Sequence, residues 1–284
     1  MIDFDAASLL LQWATGGLLF LWVTGRRREV GLGYGWLLRG TYGLMAAGSA
    51  AIGIFVIEPL AVRDAAALGV VAATGVALVV SVARRAAGVS GQMALAERRS
   101  ARVAAMTGID RDARAKDPHG PEFPPSLDLV APAIGLVGIV GAALAAGGSA
   151  WLAVARFVVG AAFLGAVTDA MLLGHWYLVQ PGLPRAPLNE LVRWVGYLTV
   201  PEILLYLVPT GMVSVLNGTI DDGWGGLLGW FWVACALTTA GLVVVTRLAL
   251  RERQYAAVMA ATGLLYLAIL TAFGTDLVAR ALLS

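Results

Sequence analysis

Eight long apolar runs, at about 5–25, 36–57, 65–83, 127–147, 151–178, 190–215, 225–246 and 255–276, alternate with short polar stretches along the chain. Most approach the roughly 20 residues that carry a helix across hydrocarbon. They are far longer than barrel strands, and an open strand would leave its backbone groups unsatisfied in lipid, so helices are expected throughout. The pattern predicts an all-α, polytopic transmembrane helix bundle. Residues 1–83 supply spans one to three, 84–126 a basic segment, and 127–284 spans four to eight.

The tightest joint is "GGSA" at 147–150, where only the charge pattern calls for a chain reversal. "PGLPRAP" at 181–187 is a stronger connector, because its three prolines remove amide donors and oppose a continuous helix. Within the basic segment, 90–106 reads as an interfacial helix placing Glu97, Arg98, Arg99 and Arg102 towards water or headgroups, ended by "KDPHGPEFPP". "GLVGIVGAALAAGG" offers small faces for close helix contact. No internal repeat is evident.

Composition agrees with a membrane protein. The 284 residues are 59% hydrophobic and 13% charged, against roughly 25% charged in soluble domains, and the mean hydropathy is +0.80. The acidic start "MIDFDAASLL" lacks a basic leader region, so no cleaved signal peptide is expected. Cys235 is the single cysteine, which excludes an intramolecular disulfide and cysteine-cluster metal sites.

Charge sets the orientation. Arg26–Arg28 follow span one, Arg84 and Arg85 span three, and Arg247, Arg251 and Arg253 span seven. With alternating spans these lie on one side, which the positive-inside rule makes cytoplasmic. Both termini and the acidic "NGTIDDGWGG" loop then face away from the cytoplasm, in a prokaryotic plasma membrane. Of the 20 basic residues only Arg63, Arg156 and Arg280 fall outside this scheme. The segment 84–126 is a candidate docking surface for a soluble redox partner, or simply a basic interface with lipid headgroups. Five acidic residues mixed into it, and no recognised motif, argue against nucleic acid.

Candidate chemistry lies in spans five and six. Asp169 is nine residues and Glu202 twelve residues from the cytoplasmic ends of their spans, about 14 and 18 Å at 1.5 Å per residue. Short-linked antiparallel helices would let the two carboxylates meet in mid-membrane. A charge there costs about 2.5–3.5 kcal/mol on insertion scales, so the pair is expected to exchange protons or to be tied by hydrogen bonds, with Tyr206 one turn beyond Glu202. Pro201 and Pro209 are positioned to unwind span six around Glu202.

His175, Trp176 and Tyr177 stand nearer the cytoplasmic face. On an ideal helix Trp176, not His175, shares the face of Asp169. Their plain reading is an aromatic belt; their functional reading is a quinone or lipid headgroup site, with Arg39 or Arg193 as neighbours of His175. His119 and His175 are the only histidines, so a self-contained bis-histidine haem is not expected and a haem would need a partner's ligand. No metal site is expected. Walker, dinucleotide-binding, HExxH and GxSxG motifs are lacking.

The leading expectation is a membrane subunit of a respiratory or other redox complex that binds quinone or lipid near His175 and relays protons through Asp169 and Glu202. Its expected partners are membrane lipids and other subunits. A proton-coupled small-molecule transporter is the first alternative. A lipid-modifying membrane enzyme or a structural assembly subunit is the second.

Overall fold

A computed structural model describes residues 5–107, 120–180 and 182–283. Arg111, Arg114, Lys116 and His119 lie outside the described residues, as do the side chains of Arg99 and Arg102. The described residues form ten α-helices: α1 Ala6–Gly25, α2 Leu32–Phe55, α3 Ala61–Ala83, α4 Ser90–Thr107, α5 Val130–Ala145, α6 Ala150–Val179, α7 Ala186–Leu207, α8 Gly211–Leu216, α9 Leu227–Ala249 and α10 Tyr255–Leu283. A 3-10 turn, Pro125–Leu129, leads into α5. Six are long and apolar enough to cross a membrane: α1, α3, the turn with α5, α6, α9 and α10. The chain is therefore an all-helical protein of multi-pass character. The other two long helices, α2 and α7, have 24 and 22 residues and reach the same length, but carry Arg39 in one case and Glu190, Arg193 and Glu202 in the other.

The reversal at "GGSA" is present. α5 ends at Ala145 and α6 begins at Ala150, with Gly147 and Gly148 at φ of 80° and 67°. An L side chain resists that backbone region, which is why glycine occupies the turn. The expected helix over 90–106 is α4, and Glu97 and Arg98 on it are exposed. Span six differs from expectation. α7 stays helical through Pro201 and Glu202, and the break falls later, between Leu207 and the short α8.

The long helices pack as two rings of four. In the first, α1 touches α2 and α5, and α3 closes the ring between them. In the second, α6 touches α7 and α10, and α9 closes the ring. The neighbour order is the same in both, so the halves repeat in packing although their sequences do not announce it. The rings meet along α1 and α6, whose most apolar stretches are 67% and 61% buried, against 33% for α3, α9 and α10. Close approach there depends on glycine: a Cβ on Gly16 would strike the Ala161 carbonyl, and one on Gly165 would strike the Gly16 backbone. Outward positions on the peripheral helices are bare hydrocarbon, among them Leu68, Val79, Leu237 and Leu270. A lipid surround accounts for so much exposed apolar surface.

Polar ties gather at both ends of the bundle. At the arginine-rich end Arg26 and Arg27 both pair with Glu190, Arg28 pairs with Glu122, and Arg84 donates to the Glu122 carbonyl. Arg185 donates to the carbonyls of Glu252, Arg253 and Gln254, joining two further connections at this end. At the opposite end Asp222 caps α9. Its carboxylate accepts from the backbone of Gly226, Trp224 and Leu228, and these bonds hold it below the ordinary carboxylate range.

The three arginines that broke the charge pattern are all buried and hydrogen-bonded inside the protein. Arg63 pairs with Asp64 and Asp5. Arg156 donates to the carbonyls of Leu205 and Val208 at 3.0 and 2.9 Å, neutralising the negative end of α7. Arg280 pairs with Asp276 one turn earlier at 2.7 Å. None of the three presents a free charge at the surface of the bundle.

Candidate functional site

Two buried polar stations lie at different depths, and they separate the carboxylates expected to meet. Asp169 is fully buried, ten residues before the end of α6, about 15 Å from the arginine-rich end at the helical rise. The Tyr42 hydroxyl of α2 donates to its Oδ1, and the Tyr34 hydroxyl donates to its backbone carbonyl at 3.3 Å. Its Oδ2 has no hydrogen-bond partner. Small neighbours make the room: Gly17 of α1 lies against the Tyr42 ring, where any side chain would collide.

Glu202 belongs to the second station. It is 1% exposed, five residues before α7 ends, and no N–H or hydroxyl donor reaches either carboxyl oxygen, while the Asp276 carboxyl lies within hydrogen-bonding reach. Its charged neighbours are Asp276, Arg280 and Arg156. Asp276 Oδ1 accepts from the Tyr206 hydroxyl at 2.8 Å as well as from Arg280 Nε. Tyr206 thus serves Asp276 rather than Glu202. Arg156 and Arg280 lie over the rings of Tyr206 and Phe157, 5.3 and 5.6 Å from the centroids. Asp276 Oδ1 sits against Gly160 of α6, where a Cβ would come within 3.2 Å of it, and Gly160 is nine residues from Asp169, about 14 Å of helix, which sets the spacing of the stations. Each is tied to a different partner set.

The aromatic group at the end of α6 also divides. Trp176 packs on Tyr34 with ring centroids 6.0 Å apart and donates to Gln180, consistent with its sharing the Asp169 face. Tyr177 is buried and its hydroxyl donates to the Pro184 carbonyl. His175 points outward and meets the Tyr266 hydroxyl of α10 at 3.1 Å. It contacts neither Arg39 nor Arg193. Arg39 instead forms a buried two-bond pair with Asp128, both bonds 2.8 Å, beneath the Phe123 ring. Arg193 is exposed on α7.

Tyr34, Tyr42, Asp276 and Arg280 were missed from sequence. The last two carried a signal: an Asp–Arg pair four apart within an apolar helix presents both on one face. The apparent end of span eight at 276 concealed it. Among the described residues no three His, Cys, Asp or Glu side chains gather to hold a metal ion. No protein-family model, curated protein or solved structure matches the chain.

Proposed function

We propose that the chain is a proton-transferring integral membrane protein of the prokaryotic plasma membrane. It crosses eight times, α2 and α7 included, with both termini on the noncytoplasmic side. The observation that carries this reading is the set of carboxyl groups sealed in the bundle, Asp169, Glu202 and Asp276, with exposures of 0%, 1% and 0% and with oxygens that no N–H or hydroxyl donor reaches. Burying such groups without full hydrogen bonding is costly, and a folded bundle that keeps them has a use for their exchangeable protons. Helix length supports the two additional spans. At 1.5 Å per residue, α2 and α7 extend about 36 and 33 Å; Arg39 and Glu190 are paired, Glu202 is buried with the second station, and Arg193 is exposed two turns from the arginine-rich end of α7.

The redox-complex setting has its own support in His175 and Tyr266, a hydrogen-bonded pair facing outward among apolar side chains. A quinone or lipid headgroup carbonyl can reach that pair from the bilayer. In this setting electrons belong to a partner that docks on the segment containing α4, and this chain supplies the proton path. The two like rings hinged on a glycine crossing favour the second setting, proton-coupled transport by rocking of one half against the other. Purified chain in sealed vesicles tests the shared claim. A proton flux under an imposed potential supports it, and vesicles as tight as protein-free controls, both with the chain alone and with its copurifying partners, would reject it.

A further inference from the structure

We propose that a cavity at the arginine-rich end is a hydrated proton entrance to Asp169, an inference that rests on the proton-transfer reading above. The cavity measures about 50 Å³ and is lined by Arg28, Tyr34, Gly35, Arg39, Glu122 and Asp128 among others. A water needs about 10–15 Å³ of such space, so a few waters fit. The lining carries two positive and two negative side chains, so its formal charge cancels and it exerts no net pull on an anion. Water is the occupant that suits it.

Arg39 supplies the reason for water to be there. The residue is 4% exposed, and its Nε and Nη2 are spent on Asp128. The remaining nitrogen, Nη1, has no partner. It lies beside Gly35, where a Cβ would come within 2.8 Å. A buried donor without an acceptor is unfavourable, and an ordered water in the cavity satisfies it.

The cavity wall connects to the first station through Tyr34. That residue lines the cavity, and its hydroxyl donates to the Asp169 main-chain carbonyl, beside the carboxyl group. Asp169 keeps Oδ2 free, while Tyr42 holds Oδ1. Transfer begins when the Tyr34 hydroxyl turns from the main-chain carbonyl to the unpartnered Oδ2 of the same residue: a hydronium in the cavity gives a proton to the Tyr34 hydroxyl oxygen as the hydroxyl's own proton passes to the Asp169 carboxylate. One O–H bond forms for each that breaks, Tyr34 ends neutral, and no electron moves.

X-ray hydroxyl-radical labelling of the intact protein in nanodiscs reads the water directly, because side chains beside ordered water are oxidised and dry ones are spared. Tyr34 and Tyr42 are 2% and 0% exposed, share the same chemistry, and differ in that only Tyr34 lines the cavity. Tyr34 is expected to label several times faster than Tyr42, and Gly35→Ala to slow it by filling space beside Arg39. Equal, slow labelling of both tyrosines overturns the entrance without any reference to flux. In sealed vesicles Tyr34→Phe is expected to lower proton flux by about 10²-fold, the lower end of what a positioned proton-transfer group contributes. Normal flux in Tyr34→Phe beside lost flux in Asp169→Asn overturns the entrance alone. Normal flux in Asp169→Asn as well overturns the reading beneath it.

Discussion

Replacing Asp128 with alanine strips Arg39 of two hydrogen bonds of 2.8 Å in a place where both side chains are 4% exposed. Removing one partner of a buried ion pair leaves an uncompensated charge and costs about 3–5 kcal/mol. At about 1.4 kcal/mol per tenfold, that is a loss of about 10²- to 4 × 10³-fold in the folding equilibrium. The Phe123 ring 4.3 Å from the guanidinium carbon offers only partial relief, about 2 kcal/mol for a desolvated cation over a ring. The double variant Asp128→Leu/Arg39→Leu removes both charges and should regain most of the loss, since apolar replacement of a buried pair is often neutral or stabilising by about 1–4 kcal/mol. Unfolding free energies in bicelles, measured by steric trapping for the parent, Asp128→Ala, Asp128→Leu, Arg39→Leu and the double, close the cycle. The reasoning fails if Asp128→Ala costs less than about 1 kcal/mol, or if the double variant is as unstable as the sum of the singles.

Three further outcomes are expected. Gly165→Leu should destabilise the α1–α6 crossing by at least about 1–3 kcal/mol, the usual range for overpacking; a variant that unfolds like the parent would show the crossing to be loose. The Asp222 carboxyl is held low by backbone donors, so its contribution to the α9 cap is complete above the ordinary carboxylate pKa and lost as pH falls through the lower folded value. NMR shifts of the Gly226 and Leu228 amides should follow that low titration and lose it in Asp222→Asn, whereas a midpoint in the ordinary range would contradict the cap. A cysteine at Thr219, in a Cys235→Ala background, should react in whole cells with an impermeant thiol reagent added outside; labelling only after the membrane is opened would reverse the topology.

Much of the fold was legible because the lipid-facing pattern is written locally. Apolar runs gave the helices, arginine clusters gave the two ends, and the glycines at 147 and 148 gave the hardest turn. The interior pairing was not local. Tyr42 reaches Asp169 across 127 positions and Tyr206 reaches Asp276 across 70, and an aromatic residue in an apolar run gives no sign of which carboxylate it will meet. Depth alone suggested that Asp169 and Glu202 would converge, but depth does not fix which face of each helix turns inward. Arg156 likewise lay too far along α6 to serve Asp169. Its partners proved to be main-chain carbonyls, which carry no sequence signature. The repeat of two four-helix rings escaped notice because it resides in neighbour order, where helix packing tolerates wide variation in side chains.

Proton flux through the purified protein tests the central claim most directly. Vesicles loaded with a pH-sensitive dye and given a potassium-driven potential would compare the parent with Asp169→Asn and Glu202→Gln, each reconstituted at equal density after its fold is verified by circular dichroism. Each carboxamide keeps the side-chain volume and removes the exchangeable carboxyl proton. The account predicts a flux in the parent, reduced by about 10²-fold or more in each variant, as expected for loss of an essential proton carrier. Undiminished flux in both variants, with their helical content and stability intact, would contradict it.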